Sequence, residues 1–237
     1  MNEAPETSTE TGTETGTETG TEIPPELVTQ MTGWRRDFHR HPEPGFAEER
    51  TSAHIASLLE SFGIEVHRNI GKTGIVGILQ RGNGPGSIAF RADMDALPIT
   101  ETGTPEWVSV HDGAMHACGH DGHTAMLLGA ACHLAANGDF NGRIVFIFQP
   151  NEEHGQGARA MIDDGLFQRF PADAVFAMHN IPGMKTGSFA TRAGPMTASE
   201  SLFELSVTAR GGHAALPHMG EIGRRRVGKE CRSRWSP

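Results

Sequence analysis

Arg143-Ile144-Val145-Phe146-Ile147-Phe148 is apolar at every position after the first and runs directly into Gln149-Pro150-Asn151-Glu152-Glu153. A run of this kind reads as a β-strand buried on both faces, the sort found in a sheet with helices packed against each side. Its neighbours agree. Upstream, Ile64–His67, Ile75–Leu79 and Ile88–Arg91 read as strands, the latter two separated by a Gly-rich turn at Gly82–Gly86. His123 to Ala136 reads as a helix with Met126, Leu127, Ala130, Ala131 and Leu134 on one side, ended by Asn137-Gly138. Downstream come a short helix around Ala158–Asp163, stopped by Gly165, and a strand at Ala174–Met178. This alternation predicts an α/β domain.

Two helices precede it. Pro24-Pro25 opens a pattern in which Leu27, Met31, Trp34 and Phe38 share one face. His39, Arg40 and His41 lie in its last turn, where cations suit the helix C-terminus, and Pro42 ends it. A second helix is expected from about Ala47 to Phe62, with Ile55, Leu58, Leu59 and Phe62 inward and Gly63 as its stop.

The termini differ from this middle. Residues 9–22 repeat Thr-Glu-Thr-Gly three times with no apolar residue, and burial cannot repay the entropy of ordering them; disorder is expected. The net charge of −9 is uneven: residues 1–26 hold seven Glu and no Lys or Arg, whereas residues 221–237 hold six Lys or Arg against two Glu. The remainder is mildly acidic, which argues against nucleic acid as a partner; the short Arg224–Arg226 cluster reads as solvated. Three cysteines (Cys118, Cys132, Cys231) without framework spacing fit a reducing compartment. No apolar run approaches membrane-spanning length and the N-terminus lacks a signal-peptide pattern, so a cytoplasmic location is expected.

The chemistry is concentrated at His116-Ala117-Cys118-Gly119-His120-Asp121-Gly122-His123. Thiolate and imidazole suit zinc and the later first-row divalent metals, and carboxylate also suits manganese. Asp93 and Asp95 follow one strand, Glu152 and Glu153 follow another, and His179 follows a third. Sites in α/β sheets form at the C-terminal ends of strands, so these segments are expected to converge. The reading is a divalent-metal hydrolase site. A closed structural zinc site using His116 or His123 and a Cys118 nucleophile are weaker alternatives. His116 and His123 read better as residues that steady a ligand or start the helix, and His111, His133 and His218 as surface or packing residues.

Residues from about Leu27 to Met219 resemble the metal-dependent amidohydrolases that include hippurate hydrolase, the indoleacetyl-amino acid hydrolases and N-acyl-amino-acid amidohydrolases. The resemblance is carried by FHRHPEPGF at 38–46, RADMDALPI at 91–99, MHACGHDGHTAMLLGAA at 115–131, FQPNEE at 148–153, MHN at 178–180 and GGHAALPH at 211–218. It implies a zinc-exopeptidase-like mixed sheet flanked by helices. Cys118, His120, Glu153 and His179 would be metal ligands, Glu152 the general base and Asp95 a supporting residue. The cofactor would be two divalent metal ions (Mn, Zn, Co or Ni). His213 would lie in a ferredoxin-like lid and dimerisation domain and steady the oxyanion in a partner subunit's site, with Phe203–Ala209 as that domain's first strand. On this basis residues 1–23 are a tail, 24–194 a catalytic domain, 195–220 the start of the lid and 221–237 a non-family tail. The expected reaction is hydrolysis of N-acyl amino acids, hippurate-like substrates included. The full-length family members are homodimers and contribute a further metal-binding histidine beyond this match, so a truncated, inactive fragment with partial metal binding is the alternative. Asn151 stands where the family usually has a small residue, and His154-Gly155-Gln156 where it is usually Gly-rich.

Overall fold

The computed structural model describes residues 23–198. In chain order its elements are α1 (Pro25–Arg40), α2 (Glu49–Ser61), β1 (Glu65–Ile70), β2 (Gly74–Arg81), β3 (Ser87–Asp93), α3 (His120–Asn137), β4 (Gly142–Gln149), α4 (Gly157–Asp163), α5 (Leu166–Arg169) and β5 (Ala174–Ala177). The strands form one sheet in the order β1-β2-β4-β3-β5. β1–β2 and β2–β4 pair antiparallel, while β3 pairs parallel with both β4 and β5. This is the expected mixed α/β sheet with helices on its faces.

β4 explains why the sheet has two covered faces. Ile144, Phe146 and Phe148 join one core with Phe38, Ile55, Leu59 and Leu128; Val145 and Ile147 join a second with Ile70, Val76, Met161 and Phe170. All five β4 side chains are at most 5% exposed. Each contributes about 1.5–3 kcal/mol on burial, so an alternating set pointing both ways ties the two layers together.

The Gly82–Gly86 turn does not close a hairpin, because β4 lies between β2 and β3. Instead the turn packs beside the start of β4: Gly84 N–H donates to Asn141 Oδ1 at 2.7 Å, and Arg143 N–H donates to Gly86 O at 2.9 Å. β3 reaches β4 through α3, the helical crossover that parallel neighbours need.

The ends of α2 follow local rules. Glu43 Oε1 and Oε2 accept the Arg50 and Thr51 N–H groups at 3.0 and 2.7 Å, satisfying orphan donors of the first turn. Gly63, at φ 77°, provides the left-handed stop. α1 lies on α3 where Gly129 faces Met31, and a Cβ on Gly129 would collide with that side chain.

α3 differs from its expected form in two ways. It begins at His120 rather than His123, so His120 belongs to the helix and not to the loop before it. Its inward face is also rotated: Leu127, Leu128 and Ala131 are buried, whereas Met126 is 40% exposed and Ala130 is exposed. The first turns are enclosed on most sides, with His120, Asp121, His123, Thr124 and Ala125 all buried, so apolar periodicity could not pick out one inward stripe.

The described chain parts into two compact units between Gly183 and Met184. Within the second, residues 184–198 hold no helix or strand. Residues 1–22 and 199–237, and with them the repeat, the expected lid strand Phe203–Ala209, His213, His218 and the basic tail, lie outside the described residues. Among the described residues no helix is long and apolar enough to cross a membrane.

Candidate metal centre

His120 is the hub. It is fully buried in the first turn of α3, and its Nδ1–H donates to the Asp95 carbonyl at 3.0 Å, with Asp95 Oδ1 at 3.3 Å. That leaves the Nε2 lone pair facing Asp93 Oδ2 at 3.7 Å, Glu153 Oε1 at 3.8 Å and Glu152 Oε2 at 3.9 Å. The Asp95 carboxylate holds the acidic loop as well, since its Oδ2 accepts the Glu153 N–H at 3.0 Å. Asp95 therefore holds two candidate ligands, His120 and Glu153, through hydrogen bonds.

Cys118 and His179 approach from the other side. Cys118 Sγ is 3.3 Å from His179 Nε2, while His179 Nδ1–H donates to the Asn180 carbonyl at 2.7 Å. The loops carrying them meet at Gly119, which caps α3 at φ 88°; a Cβ there would lie 2.6 Å from Asn180 Oδ1. Both the backbone angle and the contact require glycine. One ligand atom each from Cys118, His120 and His179 lie within 4.8 Å of one another, as do those of His120, Glu152 and Glu153. His120 belongs to both groups, so the four expected ligands and the expected general base fall into two overlapping groups.

Asp93, His120 and His123 form a third such grouping, but His123 is already engaged. Its Nδ1–H donates to Asp93 Oδ1 at 2.6 Å and its Nε2 accepts the Asn180 N–H at 3.1 Å. It steadies the His179 loop, in line with its expected supporting part. Burial acts to raise the Asp93 carboxyl, yet the His123 hydrogen bond and the Arg91 charge outweigh this and hold it at about 2.

The donor set fits divalent metal. His120 Nε2 and Glu153 Oε1 are buried atoms without a hydrogen-bond partner, an arrangement that is costly unless a cation completes it. Burial and the charges of Glu153, Glu152 and Asp93 push the Cys118 thiol up to about 11. Burial, with Glu152 and Asp95, also raises Glu153 despite the opposing pull of His120. Acids and a thiol gathered so closely disfavour their own ionisation; positive charge among them reverses that preference.

Behind the site lies a network that sequence reasoning missed. His39 is buried and bridges two acids: Nδ1 lies 2.9 Å from Asp121 Oδ2 and Nε2 3.2 Å from Glu101 Oε1. Arg35 Nε adds a contact to Asp121 Oδ2 at 2.8 Å. His39, in the last turn of α1 as expected, is thus also a buried tie between α1 and the turn carrying His120. Nothing local signals this, because its partners are 62 and 82 positions away. His116 is buried as well, and burial drives it down to about 4.

The profile of Peptidase family M20/M25/M40 matches residues 89–231. A hippurate hydrolase of Campylobacter jejuni is 47% identical over 192 residues, 81% of this chain and 50% of that protein. An N-acetyl-L-cysteine deacetylase of Bacillus subtilis is 45% identical over 197 residues, 82% of this chain and 46% of that protein. The crystal structure of the Bacillus subtilis YXEP protein, described as a dinuclear metal binding peptidase, superposes with a TM-score of 0.63 at 42% identity, covering 67% of this chain and 44% of that one. The chain spans about half the length of the curated relatives it matches. Fold, donor set and sequence agree, and the chain belongs to peptidase family M20/M25/M40.

Proposed function

We propose that this chain carries a divalent-metal site for hydrolysis of the amide bond of N-acyl amino acids, hippurate-like compounds included. The observation that carries this reading is the convergence of Cys118 Sγ, His120 Nε2, Glu153 Oε1 and His179 Nε2 from three separate segments. These four would hold metal, with soft and imidazole donors favouring zinc, cobalt or nickel and carboxylates admitting manganese. Bound there, the ions supply an acidified water and polarise the carbonyl of a substrate. Glu152, with a side chain 39% exposed and its Oε2 3.9 Å from His120 Nε2, would take a proton from water and pass it to the leaving amine. Glu153, only 16% exposed and with Oε1 3.8 Å from the same His120 Nε2, would serve as ligand. Asp95 keeps His120 in the tautomer that offers Nε2 outward. His213, outside the described residues, is proposed to donate to the oxyanion from a lid beginning near residue 195, within a homodimer. The amide-cleaving relatives named above support this substrate class.

Metal stoichiometry measured together with release of glycine from benzoylglycine tests the reading. Glu152→Gln is expected to keep metal affinity while turnover falls on the order of 10²–10⁴-fold. Unaltered turnover removes Glu152 from the mechanism. Fewer than two metals bound and no glycine released by the unaltered chain leaves the partial-site fragment as the better description.

A further inference from the structure

Glu48 is a carboxylate with no exposed surface and no part in the proposed chemistry. Its Oε2 accepts the Thr73 hydroxyl at 2.6 Å, and its Oε1 accepts the Asn151 N–H at 2.9 Å. Asn151 stands directly before Glu152 and has φ 44°, a region that Asn tolerates better than most residues with a side chain. Its two oxygens are also engaged. The carbonyl accepts the Gly157 N–H at 3.0 Å, and Oδ1 lies 2.8 Å from His154 Nδ1. The Asn151 side chain fills the space where a Cβ on Gly45 would stand. Asn151 and His154 are both positions where the chain departs from the family pattern, and they touch each other across the Glu152-Glu153 turn. Beyond Glu152, Asp95 accepts the Glu153 N–H, so carboxylates hold the turn on either side of the catalytic pair.

We propose that Glu48 and the Asn151–His154 pair are positioning residues that fix the direction in which Glu152 and Glu153 leave the backbone. The inference rests on the metal-site reading above. Burial raises the Glu48 carboxyl while Thr73 and Asn151 pull it down; Oε1 remains an acceptor in either state.

The test is calorimetric titration of the full chain with Mn²⁺ and with Zn²⁺, well below the melting temperature, beside thermal unfolding. Glu48→Gln keeps an acceptor for Asn151 and can donate to Thr73, so its affinity is expected close to wild type. Glu48→Leu, of similar volume but with no acceptor, is expected to bind metal about 10–100-fold more weakly. His154→Ala, at the exposed end of the pair, is expected to weaken binding several-fold and serves if Glu48→Leu does not fold. A folded Glu48→Leu, or a His154→Ala, with a lower melting temperature but unchanged affinity overturns the inference, since Glu48 then only supports the fold. No metal binding by the wild-type chain overturns the metal-site reading and this inference together. Equal binding by wild type and Glu48→Leu overturns this inference alone.

Discussion

His39 shows how much one buried side chain can carry. Four charged or titratable groups surround it: Asp121 and His116 in and before α3, Glu101 in the loop after β3, and Arg35 on its own helix. The Asp121 hydrogen bond is the largest influence and raises the His39 pKa above its ordinary 6.5, against burial and with help from Glu101. A folded-state value above the unfolded one means the stabilisation is complete below about pH 6.5 and fades as pH rises through the raised value. Replacing His39 with Leu leaves Asp121 with Arg35 alone and is predicted to cost about 3 kcal/mol at pH 6. The gap between wild type and variant should narrow toward pH 9, as followed by urea unfolding across that range. A gap independent of pH would mean that His39 is neutral in the fold and that the pairing contributes little.

Among the elements, α3 joins the core to the chemistry. Its first turn presents His120 and His123 to the site, and two turns later Leu128, fully buried, packs in the cluster with Phe38, Ile55 and Phe146. Leu128→Ala is predicted to destabilise the protein by about 2–5 kcal/mol through lost burial and the cavity left behind. Met126→Ala, on the exposed face, should change stability by no more than about 0.5 kcal/mol. Chemical denaturation of the two variants decides between this face and the one the apolar spacing predicts, which would make Met126 the costlier loss. β4 offers the contrast: its inward side was plain from composition, because both of its sides are inward.

Over the whole molecule, metal binding and folding are coupled. Four candidate ligands come from segments that only the folded chain brings together, and buried His120 Nε2 and Glu153 Oε1 have no partner of their own. A divalent ion at 100 times its dissociation constant should add about 2.7 kcal/mol of stability. At this chain length that is a rise of roughly 5–10 °C in Tm, reversed by a chelator. His120→Ala should abolish the rise; a rise that persists would place the binding elsewhere.

Most of the architecture is legible in the amino-acid sequence. Apolar runs, the helix stops at Gly63 and Gly165, the placing of acids after strands and the Cys-His cluster are signals that act within a few residues, and the strands, helices and candidate ligand types followed from them. The folded arrangement decided the rest. It set β4 between β2 and β3, started α3 at His120, turned Met126 outward, and drew His39 to Asp121 and Glu48 to Asn151. Strand order and buried polar partners depend on packing between segments far apart in sequence, where the chain must satisfy every enclosed donor and acceptor at once, and no local pattern encodes which distant group will answer.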